Sequence, residues 1–379
     1  MANVGIRHTV PNSQLLIRNS QATIRHHVRN MEPYEPILPF EVLSRKLGRA
    51  PEEIIKLDAN ENPYGTLPAV TEALGRMPFA HIYPDPESTA LREALAAHTG
   101  VPAENLLAGA GADELIDLVM RLCLEPGDTI VNCPPTFGMY AFDASVNAAR
   151  VVSVPRRQDF SIDLEGIERA VTESRPKLLF LASPNNPDGG VIPEDVFERL
   201  LALPIVVVWD EAYVEFSTEG ASRIGQAPER DNLIVLRTFS KWAGLAGLRV
   251  GYGAFPVSLM PHLWKIKQPY NVSVAASTAA IASLEHTAEL DARSEKLIAE
   301  RDRLFAALKA VPYLRPYPSQ ANFILCRVAG RDAAALKADL ARVGLLVRYF
   351  DKPGVKDCIR ISIGKPEQTD ALIAALKDC

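Results

Sequence analysis

The sequence predicts an α/β protein with a mostly parallel sheet, followed by a smaller α+β domain. Three observations carry this. From about residue 85, helical patterns alternate with short β-rich runs. Several of those runs are almost continuously apolar, as strands are when helices cover both faces of a sheet. After a long helical stretch at 286–311, strands and helices follow in a different order.

The elements follow in chain order. "DPESTALREALAAHTG" predicts a helix with Asp85 as N-cap and Pro86 at its first position, stopped by Gly100. "GADELIDLVMRLC" has apolar residues at 115, 116, 119, 120 and 123, which is helical spacing. "TIVNC", "ARVVSVP", "KLLFLASP", "PIVVVWD", "NLIVLRTF" and "VGYGAFP" read as strands. Beyond 311 come "ANFILCRV", a helix ending near Gly344, "LLVRYF", "CIRISIG" and a final helix. The expected organisation is a basic extension at 1–31, an arm with part of the small domain at 32–62, a large domain at 63–285 and a small one at 286–379.

Bulk properties exclude several classes. The net charge of −5 argues against a nucleic-acid footprint, which needs a clustered basic excess. No apolar run approaches the roughly 20 residues that span a bilayer. Five cysteines without a CxxC pair fit a reducing compartment, and no His/Cys zinc spacing appears, so no metal is expected. The first 31 residues contain Arg7, Arg18, Arg25 and Arg29 but no acid. That composition suits either an organellar transit peptide or a basic arm that clasps a partner. The cytoplasm is the expected compartment, with an organelle as the alternative.

Polar residues gather where strands end, the edge at which open α/β sheets bind ligands. "PIVVVWDEAY" ends on Asp210, with Tyr213 three residues on; "KLLFLASPNNPDGG" runs into a turn carrying Asn186; "NLIVLRTFSK" ends on Thr238, Ser240 and Lys241. "AGAGADE" sets glycines before a helix start, where free N–H groups face an anion. Pyridoxal 5′-phosphate has the complementary groups. Lys241, set among small and apolar residues, is the amine to hold its aldehyde and carry the substrate proton, since lost hydration lowers a lysine pKa. Asp210 pairs with the pyridine nitrogen, and Tyr213 and Asn186 with the ring oxygen. The N–H groups of Ala112 and Asp113, with Thr238, Ser240 and Arg249, cup the phosphate. Phe137 in "PPTFGMY" stacks on the ring, although a phenylalanine is more often core.

These stretches, with "LDANENPYG", "YPDP", "RTFSKWAGLAGLRVGYG" and "RISIG", resemble fold type I pyridoxal-phosphate enzymes of the aspartate-aminotransferase type, and within them the histidinol-phosphate aminotransferases. The resemblance runs in family order from about residue 33 to the end. It implies a seven-stranded-type sheet in the large domain. It also implies a homodimer in which Tyr83 reaches the partner's cofactor phosphate, and substrate-anion binding by Arg360 with Arg348 nearby. The implied reaction moves an amino group between histidinol phosphate and 2-oxoglutarate, giving glutamate. Asn62 is a further candidate for the substrate pocket. Plain alternatives stand beside these: Tyr83 as a turn residue, Arg360 and Arg348 as solvated strand residues, Asn62 as a turn former. One departure is Asp188, where the family's turn has Thr or Asn; an added carboxylate there is expected to alter the pocket's electrostatics.

Alternative functions on the same residues are an aromatic-amino-acid aminotransferase and a phosphothreonine decarboxylase. A transcriptional regulator of aminotransferase-like fold is disfavoured, because the N-terminal stretch is too short for a helix-turn-helix module.

Overall fold

The computed structural model describes residues 23–34, 38–77 and 79–378. The described residues 23–34 belong to a unit of their own and hold the short helix His26–Arg29, which has no buried side chain. The first 22 residues of the predicted basic extension lie outside the described residues. From Pro36 onward the chain forms a second unit with two sheets.

In chain order the strands are β1 (Ile55–Leu57), β2 (Leu106–Gly109), β3 (Thr129–Asn132), β4 (Arg150–Ser153), β5 (Leu178–Ala182) and β6 (Val206–Asp210). They continue with β7 (Leu233–Thr238), β8 (Gly251–Ala254), β9 (Leu314–Pro316), β10 (Phe323–Val328), β11 (Leu345–Tyr349) and β12 (Cys358–Ser362). The first sheet has the order β2-β8-β7-β6-β5-β3-β4. All its pairs are parallel except the two made by β8. Its central strands β5, β6 and β7 are buried along almost their whole length, which explains their continuous apolar sequences. Because the three run parallel and in register, their carboxyl ends fall side by side.

The second sheet has the order β1-β11-β12-β10-β9. Only its β1–β11 pair is parallel. Its core is built on Leu297, Leu304 and Leu308 of the helix Thr287–Lys309, packed on Phe323, Ile359 and Ile361.

Two expectations need correction. The helix predicted from Pro86 begins at Thr89, because Ser88 takes the left-handed φ of +49° and interrupts any earlier turn. Asp85 instead closes that turn, accepting from the N–H groups of Glu87 (2.9 Å) and Thr89 (2.7 Å). The helix ends at Gly100 as expected. Strands β1, β2 and β9 are absent from the sequence reading; each is short and has no long apolar or alternating run to mark it.

Candidate active site

The carboxyl ends of β5, β6 and β7 floor a cavity. Asp210 is the last residue of β6 and Thr238 the last of β7, while Asn186 sits in the turn after β5. Lys241 follows β7 by three residues, and its Nζ donates to the Ala59 carbonyl at 3.3 Å. Burial, with Arg360 as the next cause, lowers its pKa from the ordinary 10.5 to about 8. The lowered pKa raises the fraction of unprotonated amine near neutrality, the state a nucleophile needs.

Asp210 is buried, and burial raises its pKa to about 6. Two donors oppose that rise: the Tyr140 hydroxyl at 2.6 Å and the Ala212 N–H at 2.9 Å. A carboxylate here without a cation is costly, and a protonated pyridine nitrogen would offset that cost. This is the observation on which the cofactor fits.

The end of the cavity expected to take the phosphate is bordered by the helix Ala112–Cys123. Its N-cap is Gly111 at φ +84°, which carries no capping side chain, so the N–H groups of the first turn remain available to an anion. Thr238 and Ser240 share a hydrogen bond at 2.9 Å beside it. Arg249 reaches the same place from a left-handed residue at φ +52°, and its guanidinium lies 2.7 Å from the Asp113 carboxylate.

Ala112, Asp113, Phe137, Asn186, Asp210, Tyr213, Thr238, Ser240, Lys241 and Arg249 all line this one cavity. Arg360 joins them through Asn186: its Nη1 donates to Asn186 Oδ1 at 2.6 Å and its Nη2 to the Asp58 carbonyl at 2.7 Å. Arg360 is only 4% exposed, so it is not a solvent-facing strand residue. Arg348 stands opposite Arg360 in the β11–β12 register, and both guanidiniums lie over the Phe350 ring, at 5.7 and 5.5 Å.

Three further residues lie outside this cavity. Tyr83 is 79% exposed and stacks on Tyr270 at 4.7 Å, outside the cavity. Asn62 spends its amide on the Trp242 carbonyl (2.9 Å) and its oxygen on the Tyr64 N–H (3.0 Å), so it holds a turn. Asp188 is buried within its own turn, bonded to the Asn185 side chain and to the Gly190 N–H at 2.8 Å, and is not a cavity residue. The expected change in pocket charge is thus taken up inside the turn.

The sequence reading missed Tyr140 and Asn60. Tyr140 lies three residues after Phe137 and touches it edge-on at 5.6 Å. Asn60 donates to the Tyr213 hydroxyl at 3.2 Å. Among the described residues no helix is long and apolar enough to cross a membrane, and no cluster of side chains is arranged for a metal.

A lysine of lowered pKa, a buried strand-end carboxylate and a helix-start anion cup on this two-sheet fold fit a pyridoxal-phosphate enzyme. The chain belongs to the aminotransferase class I and II family, whose model matches residues 52–376. Among its relatives is the chloroplastic histidinol-phosphate aminotransferase of Nicotiana plumbaginifolia, 58% identical over 94% of this chain and 86% of that one. Histidinol-phosphate aminotransferase of Roseiflexus castenholzii is 53% identical over 94% of this chain and 97% of the relative. The solved histidinol-phosphate aminotransferase of Sinorhizobium meliloti, in complex with pyridoxal-5′-phosphate, superposes with a TM-score of 0.86 at 31% identity, covering 94% of this chain and 97% of that one. Pyridoxal 5′-phosphate is the cofactor of this chain.

Proposed function

We propose that the chain transfers the amino group of L-histidinol phosphate to 2-oxoglutarate, giving imidazole-acetol phosphate and glutamate, a step of histidine biosynthesis. The observation that carries this is Arg360, a buried guanidinium bonded to Asn186 on the rim of the lysine cavity. Such a fork can pair with the carboxylate of glutamate or the phosphate of histidinol phosphate. The names of the relatives at 53–58% identity support the choice of substrate.

The bound cofactor supplies an electron sink for the charge left when the substrate loses its α-proton. Lys241 removes and returns that proton. Asp210 keeps the pyridine nitrogen protonated. Tyr213 and Asn186 hold the ring oxygen, and Phe137 covers the ring. Ala112, Asp113, Thr238, Ser240 and Arg249 hold the phosphate. Arg360, with Arg348 beyond Phe350, binds the substrate anion.

The same reading includes a homodimer with shared sites, in which Tyr83 completes the partner's phosphate cup. The stacked and exposed Tyr83–Tyr270 pair supports it. Mixing inactive Lys241→Ala with impaired Tyr83→Phe should restore activity, because some sites then draw both intact residues from different subunits. For compartment the reading is the cytoplasm, with an organelle as the alternative if residues 1–31 act as a targeting segment. The domain reading remains 32–62 with 286–379 around the second sheet, and 63–285 around the first.

A panel of kcat/KM values tests the substrate. Histidinol phosphate should lead phenylalanine and tyrosine, with glutamate formed in equal amount from 2-oxoglutarate. A lead for the aromatic amino acids, or carbon dioxide release from phosphothreonine without 2-oxoglutarate, would contradict the proposal.

A further inference from the structure

We infer that Asn60 is a positioning residue for Tyr213, fixing the phenol so that its proton serves the cavity; this rests on the reading that Tyr213 faces the cofactor ring. Asn60 is 1% exposed and takes a left-handed φ of +54°, a conformation in which asparagine is enriched among non-glycine residues. Four hydrogen bonds hold it. Its N–H donates to Ser362 Oγ at 2.8 Å, and its carbonyl accepts from Asn322 Nδ2 at 3.0 Å. Its Oδ1 accepts from Ser362 Oγ at 3.0 Å, and its Nδ2 donates to the Tyr213 hydroxyl at 3.2 Å.

The direction of the Asn60 amide follows from donor bookkeeping. Ser362 already accepts from the Asn60 N–H, so its own hydrogen can go to Oδ1. That leaves Nδ2, a donor only, facing Tyr213. A second amide, Asn186 Nδ2, approaches the same phenol oxygen at 3.5 Å. With an amide donor on each side, the phenolic hydrogen can go to neither nitrogen. Tyr213 lines the cavity, and a phenol oxygen that accepts two hydrogen bonds is a stronger donor through its own O–H. Ser362 lies two residues beyond Arg360 on β12, so both project from the same face of that strand. The strand that carries the anion-binding arginine therefore also sets the amide that aims the phenol.

Replacing Asn60 by glycine keeps the left-handed backbone and deletes the amide. The readout is the pH at which the loaded protein loses half of its yellow absorbance. A weaker phenol donor stabilises the negative ring oxygen less, so the yellow, protonated form persists to higher pH. Asn60→Gly should raise the midpoint by about 0.5–1 pH unit, the scale of one neutral hydrogen bond. Ser362→Ala, which frees the amide to rotate, should shift it less and in the same direction. Tyr213→Phe should shift it upward as well, and adding Asn60→Gly to that variant should shift it no further. An unchanged midpoint in Asn60→Gly, or an equal shift with and without the phenol, would overturn the inference and leave Asn60 a fold residue. A wild-type protein lacking any pH-dependent yellow band would instead overturn the underlying cofactor reading, and this inference with it.

Discussion

Arg360 on β12 and Asn186 in the turn after β5 are joined by a 2.6 Å hydrogen bond, which ties the two sheets together at the rim of the cavity. A second contact of that guanidinium, to the Asp58 carbonyl at 2.7 Å, holds it from a third segment. The arginine is thus pre-set before any anion arrives, which lowers the ordering cost of binding.

Arg360→Ala should weaken the half-reactions with glutamate and with histidinol phosphate alike. Removing a buried partner of an anion costs on the order of 2–5 kcal/mol. Lysine should rescue only in part, because a point charge cannot reproduce the planar fork. Single-turnover absorbance changes with each amine give the two losses. A loss confined to glutamate would move the phosphate to Arg348.

Lys241 should titrate in the cofactor-free protein near pH 8, where burial and the Arg360 charge put it. The rate at which Lys241 is reductively methylated, followed by mass spectrometry against pH, gives the midpoint. Since the unfolded chain keeps this proton to about 10.5 while the folded chain loses it near 8, stability should rise with pH across that window. A midpoint near 10 would contradict the buried setting. Arg360→Ala should move the midpoint up.

Asp210→Asn should slow turnover far more than it empties the site, because the phosphate cup is untouched while the ring nitrogen loses its acceptor. Tyr140→Phe should act in the same direction and more mildly. It removes a 2.6 Å hydrogen bond to a carboxylate, worth about 1.5–3 kcal/mol, and should push the Asp210 pKa above 6. Cofactor affinity measured from pH 5 to 8 shows this as a loss that begins at higher pH than in wild type. Wild-type turnover in Asp210→Asn would remove this residue from the ring nitrogen.

Gly251→Ala should destabilise the protein and release the cofactor together. A Cβ at this β8 residue would stand 2.6 Å from the Ala112 N and 2.8 Å from the Gly111 C, both backbone, at the start of the helix Ala112–Cys123. Overpacking of that kind costs about 1–3 kcal/mol. Thermal unfolding of the cofactor-free protein and the Kd for pyridoxal 5′-phosphate measure the two effects. Unchanged values for both would show that the helix start can shift freely.

Much of this site was legible in the sequence because its residues end long apolar runs. "VVVWD" and "LIVLRT" announce buried parallel strands, and their last residues must then meet at one edge. What stayed hidden depends on contacts far apart in the chain. Tyr140 lies 70 residues from Asp210 and Asn60 153 from Tyr213, and neither spacing leaves a periodic trace. The misplaced helix start had a local cause, since nothing in "DPEST" reveals that Ser88 turns left-handed. Asn62 looked like a pocket residue, yet its neighbour two positions earlier makes the contact with the phenol.

The central claim, that Lys241 is the amine that holds the cofactor, is tested most directly by reducing the loaded protein with borohydride and mapping the modified peptide. A single pyridoxyl group on Lys241 is the expected result, with Lys241→Ala carrying no pyridoxyl group after reduction and inactive while still folded. A pyridoxyl group on any other lysine, or an active Lys241→Ala protein, would contradict the account.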